Sequence, residues 1–186
     1  MTAYVLDPIT LASRLLLDVE ASVEEGLVPK RRGEYTQWTL AVKMWLAQEA
    51  QTRGLRMLSN HDGDSEFLLD AVWWKNAPGE RALLACECEW GNLRDVQSNH
   101  LRVAEDFDKL LSFKAPLKLM IFDSYNEEAL QARIISELDR YLQAFGDHRA
   151  GEIYVALDMS RQKKAWLCRI EEDGEHTDLS FQTLSV

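Results

Sequence analysis

The sequence predicts an α/β protein in which a mixed β-sheet is flanked by helices. Apolar residues recur at the spacing of an amphipathic helix in four segments, and short apolar segments of strand length lie between and after them. Three consecutive strands, followed by a helix, a strand, a helix and two more strands, are typical of a sheet that contains both parallel and antiparallel pairs.

A single domain spanning residues 1–186 is expected, because compact domains usually contain about 100–200 residues and 46% apolar with 28% charged residues is a globular composition. We predict a core over about residues 34–122. An N-terminal helix at 8–25 precedes this core, and a C-terminal helix with two strands follows it within 126–171. No compositionally biased segment suggests a linker.

The first helix, over residues 8–25, is predicted by apolar residues at spacing four with acidic residues between them. A second helix is predicted over 34–53 from the same periodicity. Gly54 is suited to end this helix, because glycine readily adopts the left-handed conformation of a C-cap.

The other elements are predicted from helical periodicity and from apolar runs bounded by turn residues. They are, in order, strands at 55–58, 66–74 and 81–90, a helix at 95–113, a strand at 117–122, a helix at 126–145, and strands at 152–159 and 164–170. The turn residues Asn76 to Gly79 predict that the second and third strands form a hairpin.

The charge balance of the protein bears on whether it binds nucleic acid. The net charge is −10 at pH 7, because 31 acidic residues outnumber 21 basic ones. Nucleic-acid binding draws much of its affinity from cationic neutralisation of phosphates, so this balance disfavours a strong autonomous DNA or RNA binder. A nuclease remains compatible with it, because divalent cations or a partner subunit can supply positive charge.

A cytoplasmic location is expected. The first residues, Met1 to Pro8, lack the basic and apolar regions of a signal peptide. No apolar run reaches the roughly 18–20 residues that span a bilayer, so no membrane segment is expected.

Zinc binding is not expected. Of the three cysteines, Cys86 and Cys88 share a strand without the CxxC spacing of a metal site, which favours reduced thiols in the core. The four histidines fall in different segments and form no HxxxH or HExxH arrangement.

Acidic residues interrupt both strands of the predicted hairpin. Asp70 lies in the first strand, and Glu87 and Glu89 lie in the second. Because side chains alternate along a strand, Glu87 and Glu89 share a face about 7 Å apart, and hairpin pairing can bring Asp70 alongside. Three adjacent carboxylates require a cation, a shared proton or solvent, and hard oxygen ligands at this density suit Mg²⁺ or Mn²⁺.

A second interpretation of the same strand is open. Glu87 and Glu89 could line the solvent face of a half-buried strand while Cys86, Cys88 and Trp90 face the core. Spacing alone does not separate these interpretations, because both place the two glutamates on one face.

The order of these residues resembles the core of the PD-(D/E)XK phosphodiesterase superfamily, which includes type II restriction endonucleases and many repair nucleases. The resemblance covers about residues 34–122 and implies a restriction endonuclease-like αβββαβ core. It implies that Asp70 is the motif's Asp and Glu87 its Asp/Glu, both as metal ligands. Glu89 stands where the family usually has Lys, although some restriction enzymes of the superfamily carry Glu there.

Two further residues are candidates for the site. Lys109, on the helix at 95–113, could fill the lysine role from a different position, or it could be a solvated lysine paired with Glu105. Glu34 matches the additional acid that the helix before the core strands often carries in this superfamily. Its alternative role is to compensate the N-terminal dipole of that helix.

Two functions are therefore predicted. In the first, the protein is a divalent-metal-dependent phosphodiesterase that cleaves DNA or RNA. Asp70 and Glu87 hold Mg²⁺ or Mn²⁺, and Glu89 is either a third ligand or the base. Glu34 is a further ligand and Lys109 the electrophile. In the second, it is a catalytically inactive nuclease-like fold that serves as a protein-binding or assembly module. A homodimer is compatible with either, because restriction-like folds often pair.

Overall fold

The computed structural model of the protein describes residues 7–28, 37–59, 69–75, 81–91, 95–171 and 179–184. The candidate ligand Glu34 and the predicted turn at 76–79 lie outside these ranges. Within the described residues the protein is an α/β structure, with four α-helices and a mixed seven-stranded sheet.

The first two elements are helices, and the strands that follow them are interrupted by two further helices. In order they are α1 (Pro8–Glu24), α2 (Gln37–Thr52), β1 (Arg56–Ser59), β2 (Ala71–Trp74), β3 (Ala82–Glu89), a 3₁₀ turn (Val96–Ser98), α3 (Asn99–Ser112), β4 (Leu117–Phe122), α4 (Glu128–Ala144), β5 (Ile153–Asp158), β6 (Lys164–Arg169) and β7 (Gln182–Leu184).

The strands lie in the sheet in the same order as in the chain, from β1 to β7. The three central strands, β3, β4 and β5, are parallel, and the outer strands pair antiparallel. Helices α3 and α4 connect the parallel strands, and right-handed crossovers place both on the same face. Helices α1 and α2 cover the opposite face, so β4 is buried along its whole length.

Local sequence explains where α1 begins. Asp7 caps its N-terminus, because the carboxylate accepts the amides of Ile9 at 3.3 Å and Thr10 at 3.1 Å. Pro8 occupies the first turn, where a missing amide proton removes no helical hydrogen bond. The predicted helix over residues 8–25 is confirmed to within one residue.

The strand predicted over 66–74 is wrong at its start. β2 begins at Ala71, and Leu69 and Asp70 form a bend before it; residues 66–68 lie outside the described ranges. The ladder stops there because the side chain of Asp70 takes the bond to β3, with its Oδ2 accepting the amide of Cys88 at 2.9 Å. Asp70 therefore lies just before the strand rather than within it.

Two predicted helices also begin later than expected. The helix predicted over 126–145 begins at Glu128, because Tyr125 and Asn126 have φ values of 55° and 63°, outside the right-handed helical region. The helix predicted over 95–113 begins with the 3₁₀ turn, and α3 starts at Asn99.

The remaining strands agree with the prediction within one residue at each end, whereas β7, which has three residues, is not predicted from the sequence. In the described ranges, the helices all fall short of the length and hydropathy that crossing a bilayer requires.

Candidate active site

Asp70 lies where β2 meets the end of β3, and both of its carboxylate oxygens are bonded. Oδ2 accepts the backbone amide of Cys88 at 2.9 Å. Oδ1 lies 2.8 Å from the Lys43 ammonium, which α2 brings from the other face of the sheet. Both side chains of this ion pair are largely buried, with 6% of Lys43 and 12% of Asp70 exposed. This ion pair between Lys43 and Asp70 links helix α2 to the β2–β3 hairpin.

Glu87 lies beside Asp70. The pairing of Ala71 with Cys86 brings Asp70, one residue before the strand, level with Glu87. Glu87 is only 4% exposed, because it lies on the face of the sheet that α3 covers. A solvent-facing role for this residue is therefore wrong.

The surroundings of Glu87 favour its neutral form. Burial raises the pKa of Glu87 to about 9, and the negative charges of Asp70 and Asp106 contribute to this rise, against the opposing effect of Lys109. A hydrogen bond with Asp70 also favours the protonated acid. Asp70 and Glu87 thus form an acid pair in which Glu87 retains a proton at neutral pH.

Lys109 reaches this pair from α3. Its ammonium lies 3.6 Å from Glu87 Oε1 and 2.5 Å from Asp106 Oδ1. Burial lowers the pKa of Lys109, but the hydrogen bond to Asp106 and the charge of Glu87 outweigh burial and raise it overall. Lys109 pairs with Asp106 rather than with Glu105, and almost half of its side chain, 46%, is exposed.

Glu89 lies further along the same face of β3, apart from Asp70. Its Oε1 accepts the amide of Gly91 at 2.7 Å. Burial and the charge of Asp106 raise the pKa of Glu89, while the Gly91 amide and Arg102 lower it. A cleft of about 380 Å³, lined also by Arg102 and Asp106, opens beside it. The structure thus brings Asp70 and Glu87 together and places Glu89 in an adjacent polar group.

Sequence reasoning missed two residues of this cluster. Lys43 occupies a position on α2 between Thr39 and Leu46, both buried, so its place on the inner stripe of that helix is a signal that the sequence contains. Asp106 precedes Lys109 by one turn of α3, and the sequence marks it only as a potential i, i+3 partner.

The donor atoms of the pair suit a hard cation. Buried Glu87 Oε1 accepts no hydrogen bond within the described residues. The two oxygens of Asp70 have about four lone pairs between them, and the Lys43 ammonium, the Cys88 amide and Glu87 together do not use all of them. The described residues contain no group of three or more acidic, histidine or cysteine side chains arranged to hold a metal ion. Two carboxylates are sufficient for Mg²⁺, which usually keeps several waters and binds substrate phosphates as well.

The backbone turn after Glu89 depends on Gly91. Its φ is +66°, and a Cβ at this position would lie 2.4 Å from the side chain of buried Asn99. We expect Gly91→Ala to lower the free energy of unfolding by about 2–4 kcal/mol, because left-handed backbone strain and a steric overlap act together. Urea denaturation measures the loss.

Gly54→Ala is the matched control for this prediction. Gly54 has nearly the same φ, +67°, but apart from its chain neighbours no atom lies within 4 Å of the point that an alanine Cβ would occupy. It should show only the backbone strain, about 1–2 kcal/mol. Equal losses in the two variants would contradict the predicted overlap with Asn99.

Comparison with known proteins adds no family assignment. No protein-family model matches the chain, and neither the curated proteins nor the solved structures contain a match. The fold and this cluster therefore define the protein as an α/β protein with a buried acid pair and two lysines at the end of a mixed sheet.

Proposed function

We propose that the protein is a divalent-metal-dependent phosphodiesterase that cleaves a nucleic acid. The observation that carries this proposal is the pair of adjacent carboxylates, Asp70 and Glu87, flanked by Lys43 from one face of the sheet and Lys109 from the other. Buried acids beside cations in a water-restricted position are a common arrangement in sites whose groups have perturbed pKa values.

The order of elements supports the superfamily resemblance. From α2 to β4 the chain runs helix, three strands, helix, strand, which is the αβββαβ order of a restriction endonuclease-like core. Asp70 lies before β2 and Glu87 lies near the end of β3, and in the proposed resemblance these two residues would be the motif's acids. We therefore extend the resemblance from the sequence motif to the fold of residues 37–122.

The chain's own groups fit such a reaction. A bound Mg²⁺ would supply Lewis-acid stabilisation of the phosphate charge and a more acidic water. Asp70 and Glu87 would hold the ion, and Glu87 would release its proton when the ion binds, because a carboxyl group ligates a metal in its deprotonated form. Lys43 fixes the orientation of Asp70, and Lys109, which is half exposed, is able to bind a phosphate oxygen. Because Glu89 replaces the family's usual lysine, one of these two lysines would take its role.

A second candidate function is supported by the two bonds that the Asp70 carboxylate accepts. Both oxygens of Asp70 already accept bonds, from Lys43 and from the Cys88 amide, as in a carboxylate that only stabilises the fold. Together with the net charge of −10, this favours an inactive nuclease-like fold that binds a protein partner. The two candidates differ in whether the acid pair binds a divalent cation.

Calorimetric titration of Mg²⁺ and Mn²⁺ tests the proposal, with a parallel cleavage assay on single- and double-stranded DNA and RNA. Glu87→Gln is the principal variant, because an amide replaces an acid that is already neutral at pH 7. Asp70→Asn is the second. Each should weaken metal binding by at least about 10–100-fold. Losses of this size follow the removal of a residue that only orients a metal ligand, and these variants change a proposed ligand itself. Asp108→Asn, an exposed acid on α3, is the matched control and should bind as the wild type does.

The outcomes separate the two candidates. Metal binding that both variants lose, with metal-dependent cleavage that Lys109→Met lowers by about 100–1,000-fold, supports the phosphodiesterase. If the wild type binds no divalent cation at millimolar concentration, the phosphodiesterase proposal is wrong and the binding-module candidate takes its place.

A further inference from the structure

A large cavity of the described structure lies at the opposite end of β3 from Glu87. It has a volume of about 940 Å³, within the range of about 300–1,000 Å³ usual for small-molecule sites. Its wall is formed where β3, β4 and β5 begin, by Ala82, Pro116 and Glu152. The candidate active site lies where β3 ends, so the two sites are separate.

Three cationic side chains surround this cavity. Arg81, Lys114 and Arg149 line it, and all three are exposed. Among the described residues, none forms an ion pair with these three side chains or accepts a hydrogen bond from their cationic groups; Arg149 donates only its backbone amide, to Glu152 Oε2 at 3.3 Å. In a protein of net charge −10, three such cations at one cavity create a local attraction for anions. Arginine in particular binds phosphate with two parallel hydrogen bonds.

The rest of the wall is mostly apolar and includes two aromatic rings. Trp74 and Phe113 lie edge to face, with ring centroids 6.5 Å apart. The indole Nε1 of Trp74 is buried and makes no hydrogen bond within the described residues. A flat ring in the cavity could pack against this wall, and an acceptor atom on it could satisfy the indole donor.

Glu152 adds a buried acceptor to the wall. Lys118 lies 3.2 Å from its Oε2, and the Tyr154 hydroxyl donates to the same oxygen at 2.7 Å. Its other oxygen makes no bond with the described residues. Lys118 compensates the charge of Glu152, so this carboxylate can accept a hydrogen bond from a hydroxyl or amino group without repelling an anion strongly.

We propose that this cavity binds a nucleoside phosphate, with the phosphate held by Arg81, Lys114 and Arg149 and the base or sugar held against Trp74 and Glu152. A simple inorganic anion would leave the apolar wall, the indole and the carboxylate unused. A nucleotide has the charge, the flat ring and the hydroxyl donors that these groups match. This inference does not depend on the phosphodiesterase activity, because it uses none of the same residues.

Calorimetric titration with the four ribonucleoside monophosphates tests this proposal, with inorganic phosphate as the comparison ligand. Saturable binding is expected for at least one nucleotide, tighter than for phosphate and weaker at high salt. The triple variant Arg81→Ala, Lys114→Ala, Arg149→Ala should bind about tenfold more weakly or worse, the effect of losing at least one charge-assisted hydrogen bond. These side chains are exposed, so the variant is expected to fold, and its thermal unfolding checks this.

Two control variants test whether nucleotide binding depends on the residues of this cavity. Arg133→Ala removes an exposed arginine from α4, outside the cavity wall, and should leave nucleotide affinity unchanged. Trp74→Phe keeps an aromatic ring but removes the indole donor, and should weaken nucleotide binding without changing phosphate binding. The proposal is overturned if nucleotides bind no better than inorganic phosphate, if wild-type protein shows no saturable binding at millimolar nucleotide, or if the triple variant binds as tightly as the wild type.

Discussion

Lys43→Met is expected to lower the free energy of unfolding by about 3–5 kcal/mol. The ammonium of Lys43 lies 2.8 Å from Asp70 Oδ1, and both side chains are largely buried. Removing one partner of a buried ion pair leaves the other charge with little solvation, and the Cys88 amide alone does not replace the lysine. Urea denaturation at pH 7 measures the effect.

The double variant Lys43→Met/Asp70→Asn tests whether the unpaired charge of Asp70 causes the loss of stability. If the loss arises from an unpaired Asp70 charge, removing that charge as well should restore much of the stability, and the two substitutions should not be additive. The pair between Arg140 and Glu137 is a control, because its 2.7 Å contact is exposed and its loss should be much smaller. A loss of less than about 1 kcal/mol in Lys43→Met would show that the pair contributes no more than a surface ion pair.

Glu87 is expected to make stability fall as pH rises. Its pKa is raised from 4.5 to about 9 in the folded protein, mainly by burial. Between these two values the folded state keeps a proton that the unfolded state has lost, so the stabilising effect of protonation is complete below the lower pKa and disappears towards the upper one. The free energy of unfolding should decrease by about 1.4 kcal/mol per pH unit from this group alone.

Glu87→Gln isolates this contribution, because glutamine does not titrate. The difference in unfolding free energy between variant and wild type should grow by about 3 kcal/mol from pH 6 to pH 8. Measurements in EDTA keep divalent cations from changing the result. Glu105→Gln, an exposed acid on α3, should follow the wild-type curve. Parallel curves for Glu87→Gln and wild type would mean that Glu87 is ionised in the folded protein at neutral pH.

The regular elements are predictable because their signals are local. The observed bounds of β4, Leu117–Phe122, are those that the sequence predicts, since a run of this length that is apolar apart from Lys118 is typical of a strand buried on both faces. The start of α4 is not predicted, because Asn126 favours a left-handed conformation only weakly and nothing in the sequence marks Tyr125, an aromatic residue, as left-handed. The short β7 contains too few residues for a periodic pattern.

The residues of the candidate site are likewise only partly predictable from the sequence. Asp70 and Glu87 stand out because charged residues interrupt apolar strands, and pairing of those strands brings them together. The role of Lys43 is not predicted, because its partner Asp70 lies 27 residues away in the sequence and the two meet only when α2 packs on the sheet. Strand periodicity predicts that Glu89 shares a face with Glu87, and the sequence therefore groups Glu89 with Asp70. It does not predict that α3 brings Asp106 and Arg102 beside Glu89.

The strand order has a consequence for how the chain assembles. Since sequence neighbours are also sheet neighbours from β1 to β7, none of these strands has to be inserted between two strands that have already paired. Each segment can add to a growing edge, as in zipping, and two helical crossovers join the parallel strands. A one-residue slip in register between β2 and β3 would move the side chains of one strand to the opposite face of the sheet. The contact between Asp70 and the lysine of α2 therefore favours the observed register of this hairpin during assembly.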